Sequence, residues 1–117
     1  MRKDTSDRIK LGWFLRRFGL MNRVFLSPEG TPLEEAKALT RFLVAAGHRV
    51  FTLAYHSTSL NPGSNPYVRD DKELQRFLSW LDAYLEFFFG EIGGSPTSPG
   101  AVYQGAQASR VTLAQVA

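Results

Sequence analysis

His56 is the side chain in this sequence best suited to proton chemistry. The chain has two histidines and no cysteine, and an imidazole, with a reference pKa near ~6.5, can hold or release a proton close to neutral pH. His56 follows directly on Val50-Phe51-Thr52-Leu53-Ala54-Tyr55, a β-branched and aromatic run of strand length. Behind it comes a polar loop, residues 57–69, built on the turn formers Pro62-Gly63 and Asn65-Pro66 and carrying Leu60, Tyr67 and Arg69 as its large side chains. A strand that delivers a histidine into such a loop is how α/β proteins present site residues at the carboxyl ends of strands. A second polar cluster, Ser27-Pro28-Glu29-Gly30, follows a second apolar run centred on Val24-Phe25-Leu26. If the two runs are parallel neighbours, Glu29 and His56 share one edge, although the sequence assigns Glu29 no role. A purely structural role for His56 is the competing reading. Ser57 or Ser59 as a nucleophile is disfavoured, since no nucleophile elbow surrounds either and adjacent residues of an extended segment point to opposite sides.

The elements that must position these residues alternate. Residues 6–18 read as a helix with Ser6 as cap, Ile9, Trp13 and Phe14 at helical spacing, and Gly19 as the stop. A short strand over residues 20–26 follows. Thr31, Pro32 and Glu34 have the form of a capping box opening a helix whose stripe is Leu33, Ala36, Leu39, Leu43 and Ala46, closed by Gly47. The strand over residues 49–55 completes a strand, helix, strand unit with a right-handed crossover. A last helix begins at Asp70 or Asp71, with Leu74, Phe77, Leu78, Leu81, Leu85 and Phe88 as its main stripe and Trp80, Tyr84 and Phe87 widening it, and Gly90 marks its end. From Gly93 to Ala117 the composition predicts a flexible, disordered tail. Two parallel strands cannot make a self-sufficient sheet, so the reading is of part of something larger.

At 117 residues and 44% hydrophobic, the chain has the material for one core. Absence of cysteine excludes disulfides and thiolate metal sites. The net charge of +3 is concentrated at one end, where seven basic residues stand against Asp4 and Asp7 up to Arg23. Without a recognised nucleic-acid fold or stacking aromatics beside them, these charges read as a solvated helix face, and no nucleic-acid partner is expected. No run approaches the ~20 apolar residues of a membrane span, and the polar first ten residues do not fit a signal peptide. The chain as it stands is expected to be cytoplasmic, with nothing fixed for a longer parent.

Taken together, Leu26-Ser27-Pro28-Glu29-Gly30, the run ending in His56, the loop with Pro62-Gly63 and Asn65-Pro66-Tyr67-Val68-Arg69, and the helix that follows resemble the carboxyl-terminal portion of polysaccharide deacetylases, the chitin and chitooligosaccharide deacetylase type. The resemblance implies an α/β fold, a partial (β/α) barrel of which residues 1–92 supply two parallel strands and about three helices, with residues 93–117 as the tail. It implies a hydrolase that removes acetyl groups from a glycan with a divalent metal such as zinc held by one Asp and two His, a second Asp as base, and His56 as the general acid. Leu60, Tyr67 and Arg69 are then expected at the substrate. The family carries a leucine two residues before its histidine; Ala54 stands there, so Leu53 or Leu60 is expected to fill the acetyl pocket. The paired Asp, the His-x-x-x-His and the Arg-x-Pro-Tyr of the family are absent. His48 and His56 are separated by a strand of roughly 26 Å, so they are not expected to share a metal. The expectation is a fragment that carries the acid, lacks metal and base, holds no cofactor itself, and meets its glycan together with a missing amino-terminal part. The alternative is a non-catalytic module that binds a partner or a second copy through the wide apolar helix.

Overall fold

The computed structural model describes residues 26–116; the expected helix over residues 6–18 and nearly all of the first expected strand lie outside them. Three α-helices follow in order: α1, Leu33–Ala45; α2, Asp71–Glu86; and α3, Pro99–Val116. A 3-10 turn at Ser57–Leu60 precedes α2 and a π turn at Phe87–Glu91 continues it.

The barrel expectation is overturned, because the described residues are mostly helical and contain no strand and no sheet. What remains of the pairing is a single parallel bridge between Leu26 and Leu53, with the Ala54 N–H donating to the Leu26 carbonyl at 3.0 Å. The reason is physical. Strand propensity measures how well a run fits a half-buried surface, and that fit does not require a backbone ladder. Residues 49–55 are extended, but their inward side chains are held by helix side chains. Phe51 meets Phe88 edge-on at 5.6 Å and Tyr55 meets Phe77 at 5.3 Å.

Helix α1 does not start with the expected box. Pro32 is its N-cap, no side chain caps it, and Glu34 pairs with Lys37 at 3.2 Å. The Thr31 carbonyl accepts the Trp80 indole N–H at 2.9 Å, so this residue ties the helix entry to α2 through its backbone. The other end is a Schellman closure: Gly47 N–H donates to Val44 and His48 N–H to Leu43, with Gly47 at φ 97°. The cap of α2 agrees with the sequence, since the Asp70 carboxylate accepts the Glu73 N–H at 2.8 Å.

The two helices enclose the core of Leu26, Ala36, Leu39, Tyr84 and Phe87, flanked by Leu33, Leu43, Phe51, Leu53, Trp80, Phe88 and Ile92. One polar pair is buried inside it. The Thr40 hydroxyl donates to the Ala36 carbonyl at 2.8 Å and therefore accepts from the Tyr84 hydroxyl at 2.7 Å. Burial pushes the Tyr84 phenol above its ordinary value, which keeps the donor protonated. In the π turn, Ile92 N–H bonds to the Phe87 carbonyl at 3.1 Å. Phe88 closes against Gly94, where a Cβ would stand 2.2 Å from the ring.

The expected tail is also corrected, since residues 99–116 form α3. Ser98 Oγ accepts the Ala101 N–H at 3.2 Å and Pro99 occupies the first helical position, a serine and proline start that the low-complexity composition concealed.

Candidate functional site

The site forms where the chain leaves the Leu26 to Leu53 bridge. On one side is a tight turn over residues 27–30: Ser27 is buried, its hydroxyl accepts the Glu29 N–H at 3.1 Å, and Gly30 takes φ 83°. This turn aims Glu29 across to the end of the other extended run. There its Oε1 accepts the His56 backbone N–H at 2.9 Å, while its Oε2 lies 2.8 Å from His56 Nδ1. The buried Ser59 hydroxyl also donates to Oε1. Asn65 Nδ2 donates in turn to Ser59 Oγ at 2.8 Å and to Thr58 Oγ1 at 3.0 Å.

The charge state follows from these contacts. Burial opposes ionisation of Glu29, but the bonds from Ser59, from the His56 backbone and from the His56 ring outweigh it and hold the carboxyl below its ordinary value. A carboxylate only accepts, so the proton of the shared bond sits on His56 Nδ1. The arrangement leaves Nε2 as the working atom. The His56 side chain is 69% exposed and that of Glu29 only 6%, so an anchored acid presents a solvent-facing imidazole. A histidine oriented through Nδ1 by a carboxylate can donate or accept a proton at Nε2.

Of the other expected site residues, Tyr67 is beside His56, its ring stacked on the imidazole at 5.9 Å and 12°. Leu60 ends the 3-10 turn that starts after His56 and is exposed. Leu53 is turned away from this group. It lines a separate apolar cleft of about 640 Å³ together with Leu26, Phe51, Phe88, Phe89 and Ile92. Ala54 and Thr52 are exposed on the His56 side, as period-two alternation expects. His48 lies at the cleft, on the far end of the extended run from His56. Ser59 is fully buried with its hydroxyl bound to Glu29, which removes it as a nucleophile.

Arg69 is directed at the first turn of α2. Its guanidinium pairs with Glu73 through Nε at 3.1 Å and through Nη2, and its backbone N–H donates to Glu73 Oε2 at 2.8 Å. The Arg69 hydrogen bonds hold the Glu73 carboxyl at about 2 against a reference of 4.5. A depressed carboxyl pKa contributes stability above the unfolded value and loses it as pH falls through the folded one. We therefore expect the start of α2 to be intact above pH 4.5 and to loosen toward pH 2, read from the Arg69 and Glu73 amide resonances. Arg69→Gln should move that midpoint up toward the ordinary carboxylate range; a midpoint unmoved by the substitution would contradict the pairing.

Sequence reading did not assign Glu29, Ser59 or Asn65. The usable signal was the pair of polar clusters, each at the end of an apolar run, whose parallel alignment brings Glu29 to His56. Among the described residues no three His, Cys, Asp or Glu side chains come together to hold a metal ion, and no helix is long and apolar enough to cross a membrane. Comparisons of the chain with protein-family models, with curated proteins and with solved structures find no match.

Proposed function

We propose that this chain is the carboxyl-terminal part of a glycan deacetylase of the polysaccharide deacetylase type, in which His56 is the general acid and Glu29 its positioning residue. The observation that carries the reading is the His56 to Glu29 pair, with Nδ1 committed to a carboxylate and Nε2 left to solvent. In hydrolysis of an acetamide the tetrahedral intermediate collapses only as its nitrogen is protonated, because an amide anion is too poor a leaving group. His56 Nε2–H would give that proton, and the Glu29 carboxylate stabilises the imidazolium before transfer and holds the ring in one orientation afterwards.

The divalent metal of such enzymes, zinc for example, activates the water and polarises the acetyl carbonyl. The residues of this chain do not fit it. The sequence has only His48 and His56 as imidazoles, and the described carboxylates do not gather around either to make a ligand set. In this reading metal and base belong to another segment of the enzyme, and the chain by itself is inactive.

The test is acetate release from N-acetylated and O-acetylated oligosaccharides by the polypeptide that carries this chain together with its metal-binding segment. Release is expected with the joined polypeptide and none with the 117 residues alone. If the joined polypeptide releases no acetate from any such glycan, the second reading takes its place. That reading is a non-catalytic module that binds a partner or a second copy, and its observation is the exposed stripe of Leu78, Leu85 and Phe89 along α2 and the turn beyond it.

A further inference from the structure

Resting on the reading of His56 as an acid at a sugar, we propose that Tyr67 is the specificity residue of the site, and that it takes the flat face of a neutral pyranose next to the reacting one. The ring is built to stay where it is. Pro66 fixes the backbone before it, and Asn65 Oδ1 accepts the N–H groups of Tyr67 and Val68 at 3.0 and 3.1 Å. Val68 is 1% exposed and pins the loop from below, and the Gly63 N–H closes it on the Val68 carbonyl at 2.9 Å. Tyr67, so held, is still 50% exposed.

An aromatic side chain kept half in water on a rigid turn, nearly parallel to the imidazole it stacks on, has no role in the core. His56 backs the ring on one side and half of Tyr67 stays open to solvent as an aromatic platform, and the C–H groups on one side of a pyranose fit such a surface as an apolar ligand face does. The hydroxyl groups of the sugar remain free for the exposed Ser57 and Thr58 beside His56.

Charge decides the class of glycan. The loop from Ser57 to Val68 contains no ionisable side chain except the Tyr67 phenol. The nearest cation in sequence, Arg69, is committed to Glu73 at two atoms. The site's own carboxylate, Glu29, is anionic. The cation these residues can form, the His56 imidazolium, is already paired with the Glu29 carboxylate, so the pair carries no net positive charge to hold a carboxylated or phosphorylated sugar. The ligand is therefore an uncharged glycan.

The experiment is saturation-transfer NMR on the full 117-residue chain with cellotriose, N-acetylated chitotriose and trigalacturonate, read on ring protons of the sugar and on the His56 and Tyr67 resonances. Both neutral trisaccharides are expected to bind, to receive saturation from Tyr67 and to shift His56. Tyr67→Phe should keep the binding and Tyr67→Ala should weaken it about five- to tenfold, with trigalacturonate unbound. If cellotriose behaves so and chitotriose does not bind, the platform stands and the deacetylase reading falls. If Tyr67→Ala binds as the native chain does, if trigalacturonate binds more tightly than the neutral sugars, or if no neutral sugar binds, the platform is refuted whatever acetate release shows.

Discussion

Replacing His56 by alanine is expected, if the chain is part of a glycan deacetylase as proposed, to lower turnover of an N-acetylated oligosaccharide by about 10²- to 10⁴-fold in a polypeptide that joins the chain to a metal-binding segment. The size follows from what is removed. A general acid contributes by protonating the leaving nitrogen as the carbon–nitrogen bond breaks, and two of the neighbouring groups are unable to substitute. Ser59 is buried and Arg69 is bound to Glu73. An activated aryl ester, whose leaving group departs unprotonated, should lose far less. Metal content should be unchanged, because His56 is no ligand. Glu29→Gln should fall between native and His56→Ala, since the ring keeps a hydrogen-bond partner and loses the countercharge. Near-normal turnover of the amide by His56→Ala, or loss of metal on that substitution, would return His56 to a structural role.

The largest expected effect on stability is at Leu39. It is 1% exposed and sits between α1 and α2 among Leu26, Ala36, Tyr84 and Phe87. Truncation to alanine removes buried methyl groups and leaves a cavity that the flanking aromatic rings cannot fill without leaving their own contacts. The expected loss is about 3 kcal/mol, within the usual range for buried leucine. In a chain of this size that corresponds to a melting temperature lower by roughly 10–20 °C. Leu78, on the same pair of helices but 40% exposed, is the comparison: Leu78→Ala should cost less than about 1 kcal/mol. Thermal or urea unfolding followed by circular dichroism distinguishes the two, and equal losses at both positions would mean that the helix interface is not the core in solution.

Much of the helical part was legible. The stripe from Leu33 to Leu43 and the one from Leu74 to Phe88 locate α1 and α2 to within a few residues, because a 3.6-residue period leaves a strong mark on composition. The exit at Gly47 and the entry at Asp70 were equally clear, each being a residue with a particular backbone or capping capacity. The strands were misjudged for a reason that lies in the measure used. Residues 50–55 have the side chains of a strand, and the structure uses those side chains as a strand would, inward and outward in alternation, without the ladder of backbone bonds. Helix α3 runs against the expectation because Gly, Ala, Gln and Ser dilute any stripe, and a serine and proline start carries little weight without one. Of the residues expected at the site, the loop brings Tyr67 onto His56, whereas Leu53 lines the separate cleft and Arg69 pairs with Glu73, contacts that depend on how the chain packs and leave no mark on residue spacing.

Glu29 and His56 are 27 positions apart, and the whole of α1 lies between them. Closing a loop of that length costs about 3 kcal/mol in chain entropy, and the three hydrogen bonds that Glu29 accepts from His56 and Ser59 return on the order of 1 kcal/mol net each. The two nearly cancel, so the pair is not stable by itself in an otherwise open chain. Docking of α1 on α2 brings the ends of the loop to the same place without that cost, so the orientation of the imidazole depends on the helix pair. A nascent or partly unfolded chain therefore carries an ordinary histidine, and the oriented one appears only with the finished helix pair.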